Sequence, residues 1–416
     1  MATPHTEQDR YARARLLPWW NQDSLSQAVV LVAGAGATGN EVIKLLALAG
    51  VGRVIVVDFD RIEQTNLTRS VLYRDGDVGK WKATTAAKQA EEINPEISTT
   101  AIVGDLEFEI GIGIFRSVDI VIGCLDSINA RLALNLLCGK AGIAWLDTGI
   151  EAEFCNIALY GADRHGEAAC FQCTMTESMW ERRNLRFSCT GMPSDIATEA
   201  VPTTGVMASI AAGIAVHEAI LHLHRLHLNS EYTAPPAGIL PGERLTFSIQ
   251  PYQVHVLSQS RHIECDAHME MSPTIFVEAD PAVFTPRMLF QACKVESLHA
   301  VLELGFDLCT QMHCIRCGCV ETINRPIELV PVAMSHCPQC GLETRSPEQL
   351  CTVAHADPQM DMTLQTLCIP PWQVLCIKNP GGRIYVQISG EPMVFSPTGK
   401  PLEVRKDYAN QEMKGD

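Results

Sequence analysis

A doubly wound α/β domain followed by a smaller α+β region is the fold the sequence predicts, on three observations. An apolar run ending in a glycine-rich turn and a helix, VVLVAGAGATGNEVIKLLALAG, opens the first unit in the way dinucleotide-binding folds do. Apolar strand runs and helical segments then alternate to about residue 150, which predicts a mostly parallel sheet. From about Met271 the pattern gives way to one helical segment, a cysteine-rich ribbon at 309–341 and a hairpin turned by NPGGR. The expected division is therefore 1–270 and 271–416.

The elements follow in order. RYARARLLPWW reads as a short amphipathic helix or arm leading into a first strand, Val29 to Ala33, and the first long helix is expected from near Asn40. RVIVVDF is a strand, GDVGKWKATT leads a helix at about 79–93, and TTAIVGD and VDIVIGCLD are further strands. A helix from Ser127 to Ala141 precedes IAWLDTG and FCNIALYGA. A cysteine pair and a polar stretch then lead to a buried helix from about Thr203 to Leu226. LTFSIQPYQVHVLSQSRHIECDAH supplies more strands, and the charged tail RKDYANQEMKGD is expected to fray.

Composition narrows the function. The 416 residues are 47% hydrophobic, ample for a sizeable core. The start MATPHTEQDRYARARLLPWW has no export pattern, and the apolar run VMASIAAGIAV is shorter than a bilayer span, so a cytoplasmic protein with no membrane partner is expected. A net charge of -16 argues against nucleic acid, whose binding needs many phosphates neutralised by lysine and arginine. Seventeen cysteines in a reducing compartment point to metal and thiol chemistry.

Gly34, Gly36 and Gly39 supply a tight turn and a close backbone approach for a phosphate at a helix N-terminus. Asp58 ends the next strand where such folds hold a ribose hydroxyl. A nicotinamide cofactor would need no more, but the chain adds Asp60, Asn66, Arg69 and Lys82. Local cations of this kind suit a triphosphate that loses pyrophosphate. Asp126, at the carboxyl end of VDIVIGCLD, lies where open sheets place ligands and suits magnesium.

The order G-x-G-x-x-G, D-x-D, N-L-x-R, G-K-x-K and C-x-D-S-x-x-x-R, with RYAR near the start, resembles the ThiF/MoeB/ubiquitin-activating-enzyme superfamily over about residues 10–268. Its members adenylate the C-terminal glycine of a ubiquitin-fold protein. The resemblance implies a ThiF-type adenylation domain using ATP and magnesium, with Asp58 on the ribose and Asn66, Arg69 and Lys82 on the phosphates. It further implies that Asp126 holds the magnesium and that Arg13 reaches across a homodimer into the partner's site. Ser70, where many relatives have glutamine, and Ala14 depart from the family pattern. The NLTRSVL variant with a C-terminal ribbon is similar to the activating enzymes of bacterial ubiquitin-like conjugation operons, including antiviral ones.

An acyl-adenylate is open to attack by a thiolate. Cys189, in a polar segment before the buried helix, is the candidate thioester nucleophile, and compact homodimeric activating enzymes carry a similar cysteine before a PTT helix start. Cys124, in a buried strand, reads as a small apolar filler.

Cys314, Cys317, Cys337 and Cys340 form two C-x-x-C pairs at zinc-ribbon spacing, with Cys319 as a possible substitute ligand. Cys170 and Cys173 need ligands from elsewhere, and the family resemblance implies Cys265 and His268 as a second zinc-binding pair. The expected reaction is activation of a ubiquitin-like protein and its transfer to a conjugating enzyme. The alternative within the superfamily is a sulfur-carrier adenylyltransferase without a self-thioester, and a more distant one is an NAD-dependent oxidoreductase.

Overall fold

The structure, a computed structural model, describes residues 9–161, 167–184, 203–228, 230–268, 274–342, 344–389 and 394–395. In chain order the elements of the first part are α1 (Gln22–Gln27), β1 (Val29–Ala33), α2 (Ala37–Ala49), β2 (Arg53–Val57), α3 (Lys82–Ile93), β3 (Ser98–Ile102) and α4 (Ile112–Phe115). They continue with β4 (Ile120–Gly123), α5 (Ile128–Ala141), β5 (Trp145–Ile150), β6 (Phe154–Tyr160), α6 (Glu177–Asn184), α7 (Gly205–Leu226), β7 (Glu243–Ile249) and β8 (Tyr252–Ser258). The second part holds β9 (Thr274–Val277), α8 (Pro286–Ala292), β10 (Val301–His313), β11 (Val320–Pro326), β12 (Ser346–Ala354), β13 (Val374–Asn379), β14 (Gly382–Ile388) and β15 (Val394–Phe395).

The first sheet runs β15-β3-β2-β1-β4-β5-β6-β7-β8. Its centre, β3-β2-β1-β4-β5, is parallel, and the strands from β6 onward are antiparallel. The central strands read as continuous apolar runs because helices cover both faces: α2, α3 and α7 on one, α4 and α5 on the other. The expected α/β class is thus present. The first long helix begins at Ala37, three residues before the expected start, because the turn closes at Gly36, its N-cap. The second sheet, β11-β10-β13-β14-β9 with β12 on β10, closes its own core around Leu302, Phe290, Leu364 and Ile377. Gly113 donates to the Trp372 carbonyl and Arg116 to Gln387 Oε1, so α4 docks this second unit onto the first. β15 returns to pair with β3.

Helix α7 extends to 22 residues, twice the apolar run seen in the sequence, and by length and composition alone could cross a bilayer. Here it lies in the core, with Ala208, Ala211, Ala215 and Leu223 fully buried. Its end is fixed by His224, which sits between Trp19 and Trp20. The Asn21 amide donates to His224 Nε2 at 2.8 Å, so the ring is neutral with its proton on Nδ1, directed at the Ile220 carbonyl. Burial pushes His224 down, and pushes His222, beside Arg225, His227 and Asp119, down to about 4. The unfolded chain takes up these protons near pH 6.5 and the folded one does not. Stability is therefore complete above about pH 6.5 and falls as pH drops towards 4, by up to about 3 kcal/mol for His222. Urea melts at pH 7.5 and 4.5 test this, and His222→Leu is expected to flatten the difference.

Candidate functional site

The glycine turn is built by close packing. Gly34 has φ +95° and its amide donates to the Val57 carbonyl at 2.8 Å. A Cβ on Gly34 would come within 2.4 Å of the Cys124 carbonyl, and one on Gly39 within 2.0 Å of the Gly34 carbonyl. A Cβ on Gly36 would meet nothing within 4 Å, and no side chain caps the first amides of α2. The turn is therefore tight behind and open in front, the shape that a phosphate at a helix N-terminus requires. Gly39→Ala is expected to lower the melting temperature by several degrees or more, as about 2 kcal/mol for the clash of its Cβ with the Gly34 carbonyl requires. Gly36→Val is expected to lower melting by only a few degrees, the cost of losing the glycine N-cap, while weakening ATP binding about tenfold or more if the proposed function holds, measured by calorimetry.

Asp58 does more than the sequence reading assigned to it. Its Oδ2 accepts from the Ala35 amide at 2.7 Å and its Oδ1 from the Asp60 amide at 2.8 Å, so it braces the turn. Burial pushes its carboxyl up, against the pull of the Ala35 amide and of Lys82. Asn40, fully buried, donates to the Ala35 and Gly36 carbonyls and accepts from the Leu72 amide. Tyr73 also donates to the Ala35 carbonyl. The sequence reading missed both residues; Asn40 alone left a signal, a polar side chain just inside an apolar helix.

Lys82, at the first position of α3, places Nζ 2.7 Å from Asp60 Oδ2, and its amide donates to the Asp60 carbonyl. Asp58, Asp60 and Lys82 thus form one cluster beside the turn. Asn66 accepts from the Glu63 amide at 2.9 Å and caps a short 3-10 turn. Arg69 donates to the Thr65 carbonyl at 2.9 Å and borders a cavity of about 520 Å³ with Glu41, Thr204, Gly205 and Ser209. None of the glycine turn lines that cavity, so Arg69 faces the entrance to α7. Thr204 caps α7 through the Met207 amide. Cys189, the candidate nucleophile, lies outside the described residues, as does the charged tail.

Asp126 is exposed just past β4, and Ser127, not Asp126, caps α5. Arg131, which closes the C-x-D-S-x-x-x-R spacing, donates to the Leu125 carbonyl at 2.8 Å and the Thr148 carbonyl at 3.2 Å. It ties the ends of β4 and β5 together beside Asp147, whose carboxyl burial pushes up despite Arg131. The Cys124 thiol is raised by burial to about 12 and packs beneath Gly39, which suits a filler and not a nucleophile. Arg13 is exposed on an arm held by Arg10 to the Ile93 carbonyl and by Tyr11 to Asn94. That anchor is at the other end of α3 from Lys82, about 16 Å along the helix axis.

Two groups of side chains have the donor chemistry of structural zinc. Cys170, Cys173, Cys265 and His268 have all ligand atoms within 4.8 Å of one another, with Cys170–Cys265 sulfurs 3.7 Å apart and Cys173 Sγ 3.2 Å from His268 Nε2. Cys314, Cys317, Cys337 and Cys340 form the second, with sulfur pairs at 3.5 and 3.6 Å. Tetrahedral thiolates about 2.3 Å from a zinc ion stand about 3.8 Å apart, so both groups fit with little adjustment. Cys319 stays outside the set and contributes its carbonyl to the Cys314 amide. Buried Arg345, which no motif signalled, holds Met334 and Glu321 beside the second group.

The sequence signature of the ThiF family matches residues 9–255. A sulfur carrier protein adenylyltransferase of Thermus thermophilus is 38% identical over 177 residues, 40% of this chain and 64% of that protein. Ubiquitin-like modifier-activating enzyme 5 of Oryza sativa is 26% identical over 230 residues, 51% of this chain and 52% of that protein. The chain thus spans less than two thirds of the length of both. In fold it is similar to the crystal structure of E. coli MccB with AMPCPP and MccA, with a TM-score of 0.51 at 24% identity over 64% of this chain and 76% of that one. With a family match over more than half its length on a parallel sheet that carries the glycine turn, the chain belongs to the ThiF family, in the superfamily that joins ubiquitin-like activating enzymes to sulfur-carrier adenylyltransferases.

Proposed function

We propose that the protein adenylates the C-terminal glycine of a ubiquitin-like protein and carries it as a thioester on Cys189 before transfer to a conjugating enzyme. The observation that carries this reading is the Asp58–Asp60–Lys82 cluster beside a glycine turn whose front, at Gly36, is open. The modifier's carboxylate oxygen attacks the α-phosphorus of ATP, and the bond to pyrophosphate breaks with its electron pair leaving on pyrophosphate. Lys82 holds the phosphates with Asn66, Arg69 joins them only if its side chain turns from the α7 cavity it borders here, and Asp58 keeps lone pairs for the ribose. Asp126 would hold a magnesium ion, which supplies charge neutralisation on the leaving group. The Cys189 thiolate then attacks the acyl carbon and AMP leaves.

The arm's anchor far from its own chain's Lys82 supports a homodimer in which Arg13 serves the partner's site. The two metal groups act as braces, one between the segment after β6 and that after β8, the other within the ribbon. We place the division between adenylation and C-terminal domains at 270/271. The second reading, a sulfur-carrier adenylyltransferase, is favoured by the 38% identity to the Thermus protein.

Incubation with ATP, magnesium and a candidate ubiquitin-like protein, read on a non-reducing gel, separates the two. The expected result is a thiol-sensitive adduct lost in Cys189→Ala and kept in Cys124→Ala. Pyrophosphate exchange without an adduct selects the sulfur-carrier reading. Tight NADH binding with no exchange removes both.

A further inference from the structure

We propose that the second domain binds a cationic side chain, lysine or arginine, presented by a partner protein, in the cavity between β9 and Trp372. The cavity has a volume of about 470 Å³ and is lined by Phe276, Glu278, Asp280, Phe284 and Trp372 among others. The rings of Phe276 and Trp372 stand 6.3 Å apart at 34°, and Phe276 is 42% exposed instead of packed into the core. Two tilted aromatic faces at this spacing accept the face of a guanidinium or an alkylammonium.

The charge on the rim points the same way. Glu278 and Asp280 are exposed, and among the described residues neither is in an ion pair. Arg287 is paired with Asp361 at 2.6 Å and Arg383 with Glu303 at 3.4 Å, so these cations of the domain are engaged elsewhere. Asp280 is held in place by accepting from the Ala282 amide at 3.0 Å. An anion in the cavity would be repelled, and a neutral apolar group would desolvate two carboxylates without recompense. A bare divalent ion would meet the carboxylates but leave the aromatic walls of Phe276 and Trp372 unused. A lysine or arginine side chain satisfies both demands, because its stem covers Phe284 and Val283 while its head meets the carboxylates.

The wall is rigid before any ligand arrives. Trp372 has φ +62°, an uncommon conformation for a bulky residue, which persists only where the surroundings dictate it. Its carbonyl accepts from Gly113 in the first domain, its amide donates to the Ser389 carbonyl, and Ser389 Oγ accepts from the Ala279 amide. Val283, 63% exposed, gives the cavity an apolar edge of the kind that surrounds a protein contact, which favours a protein side chain over a free cationic metabolite.

The inference does not depend on adenylation, and its test reads binding alone. The full-length protein is titrated with acetyl-Gly-Arg-Gly-amide, its lysine counterpart, its norleucine counterpart and agmatine, with binding followed by NMR chemical-shift change. The basic peptides are expected to bind saturably, at least about tenfold more tightly than the norleucine peptide and more tightly than agmatine. In the Glu278→Gln/Asp280→Asn variant that preference is expected to vanish while the melting temperature stays unchanged. The proposal is overturned by no saturable binding, by equal binding of the norleucine peptide, by an unaltered preference in the double variant, or by agmatine binding as tightly as the peptides.

Discussion

Lys82→Met is expected to reduce ATP–pyrophosphate exchange about a hundredfold to a thousandfold while the protein remains folded. The side chain is 12% exposed, with its stem buried, so methionine keeps the packing and removes only the charge. Its partner Asp60 is half-exposed and can be solvated when the pair is lost, so the stability cost is at most about 1 kcal/mol. Catalysis has no such refuge. In a chain of net charge -16, few cations stand near the turn, and the charge that develops on pyrophosphate must be met locally. The measurement is exchange of labelled pyrophosphate into ATP, with circular dichroism as the control for folding. Exchange within about threefold of wild type would show that Lys82 serves only to position Asp60.

Removing the zinc proposed for the ribbon is expected to unfold residues 313–345 and spare the first sheet. The apolar cluster at the ribbon, Cys309, Met312, Ile327 and Val330, has four buried members, too few to hold some thirty residues, of which only β11 is a strand, by burial alone. Structural zinc supplies about 10–16 kcal/mol in small zinc modules, enough to decide whether such a segment folds. The Cys314→Ser/Cys317→Ser variant should lower zinc from two ions per chain to one, measured by elemental analysis, and abolish hydrogen-exchange protection at 314–341. Persistent protection in zinc-free protein would mean that Arg345 and its bonds to Met334 and Glu321 suffice.

The legible parts of this protein were those in which one residue type has one physical use. Gly34 and Gly39 could be read from spacing because a backbone closing to within 2.0–2.4 Å of where a Cβ would stand leaves no choice of residue. The ribbon cysteines were readable for the same reason, since two knuckles at that interval have few other uses. Asn40, Tyr73 and Arg131 were not singled out as site residues, although their bonds to Ala35, Gly36, Leu125 and Thr148 hold the turn and the ends of β4 and β5. Each is a polar residue whose partner is a main-chain carbonyl, and main-chain acceptors leave no mark in a sequence.

By itself, the sequence determined the alternation of strands and helices, the glycine turn and the ligand chemistry of the metal groups, because periodicity, backbone sterics and thiolate spacing act over a few neighbouring residues. Only the tertiary structure decided that Asp58 braces the turn, that Lys82 sits on Asp60 while Arg69 faces a different cavity, and that Trp372 joins the two sheets. These depend on which segments, hundreds of residues apart or on different strands, are brought together by burial, and the hydrophobic effect that brings them together is non-directional. Direction comes from the hydrogen bonds and charges that packing then forces into pairs.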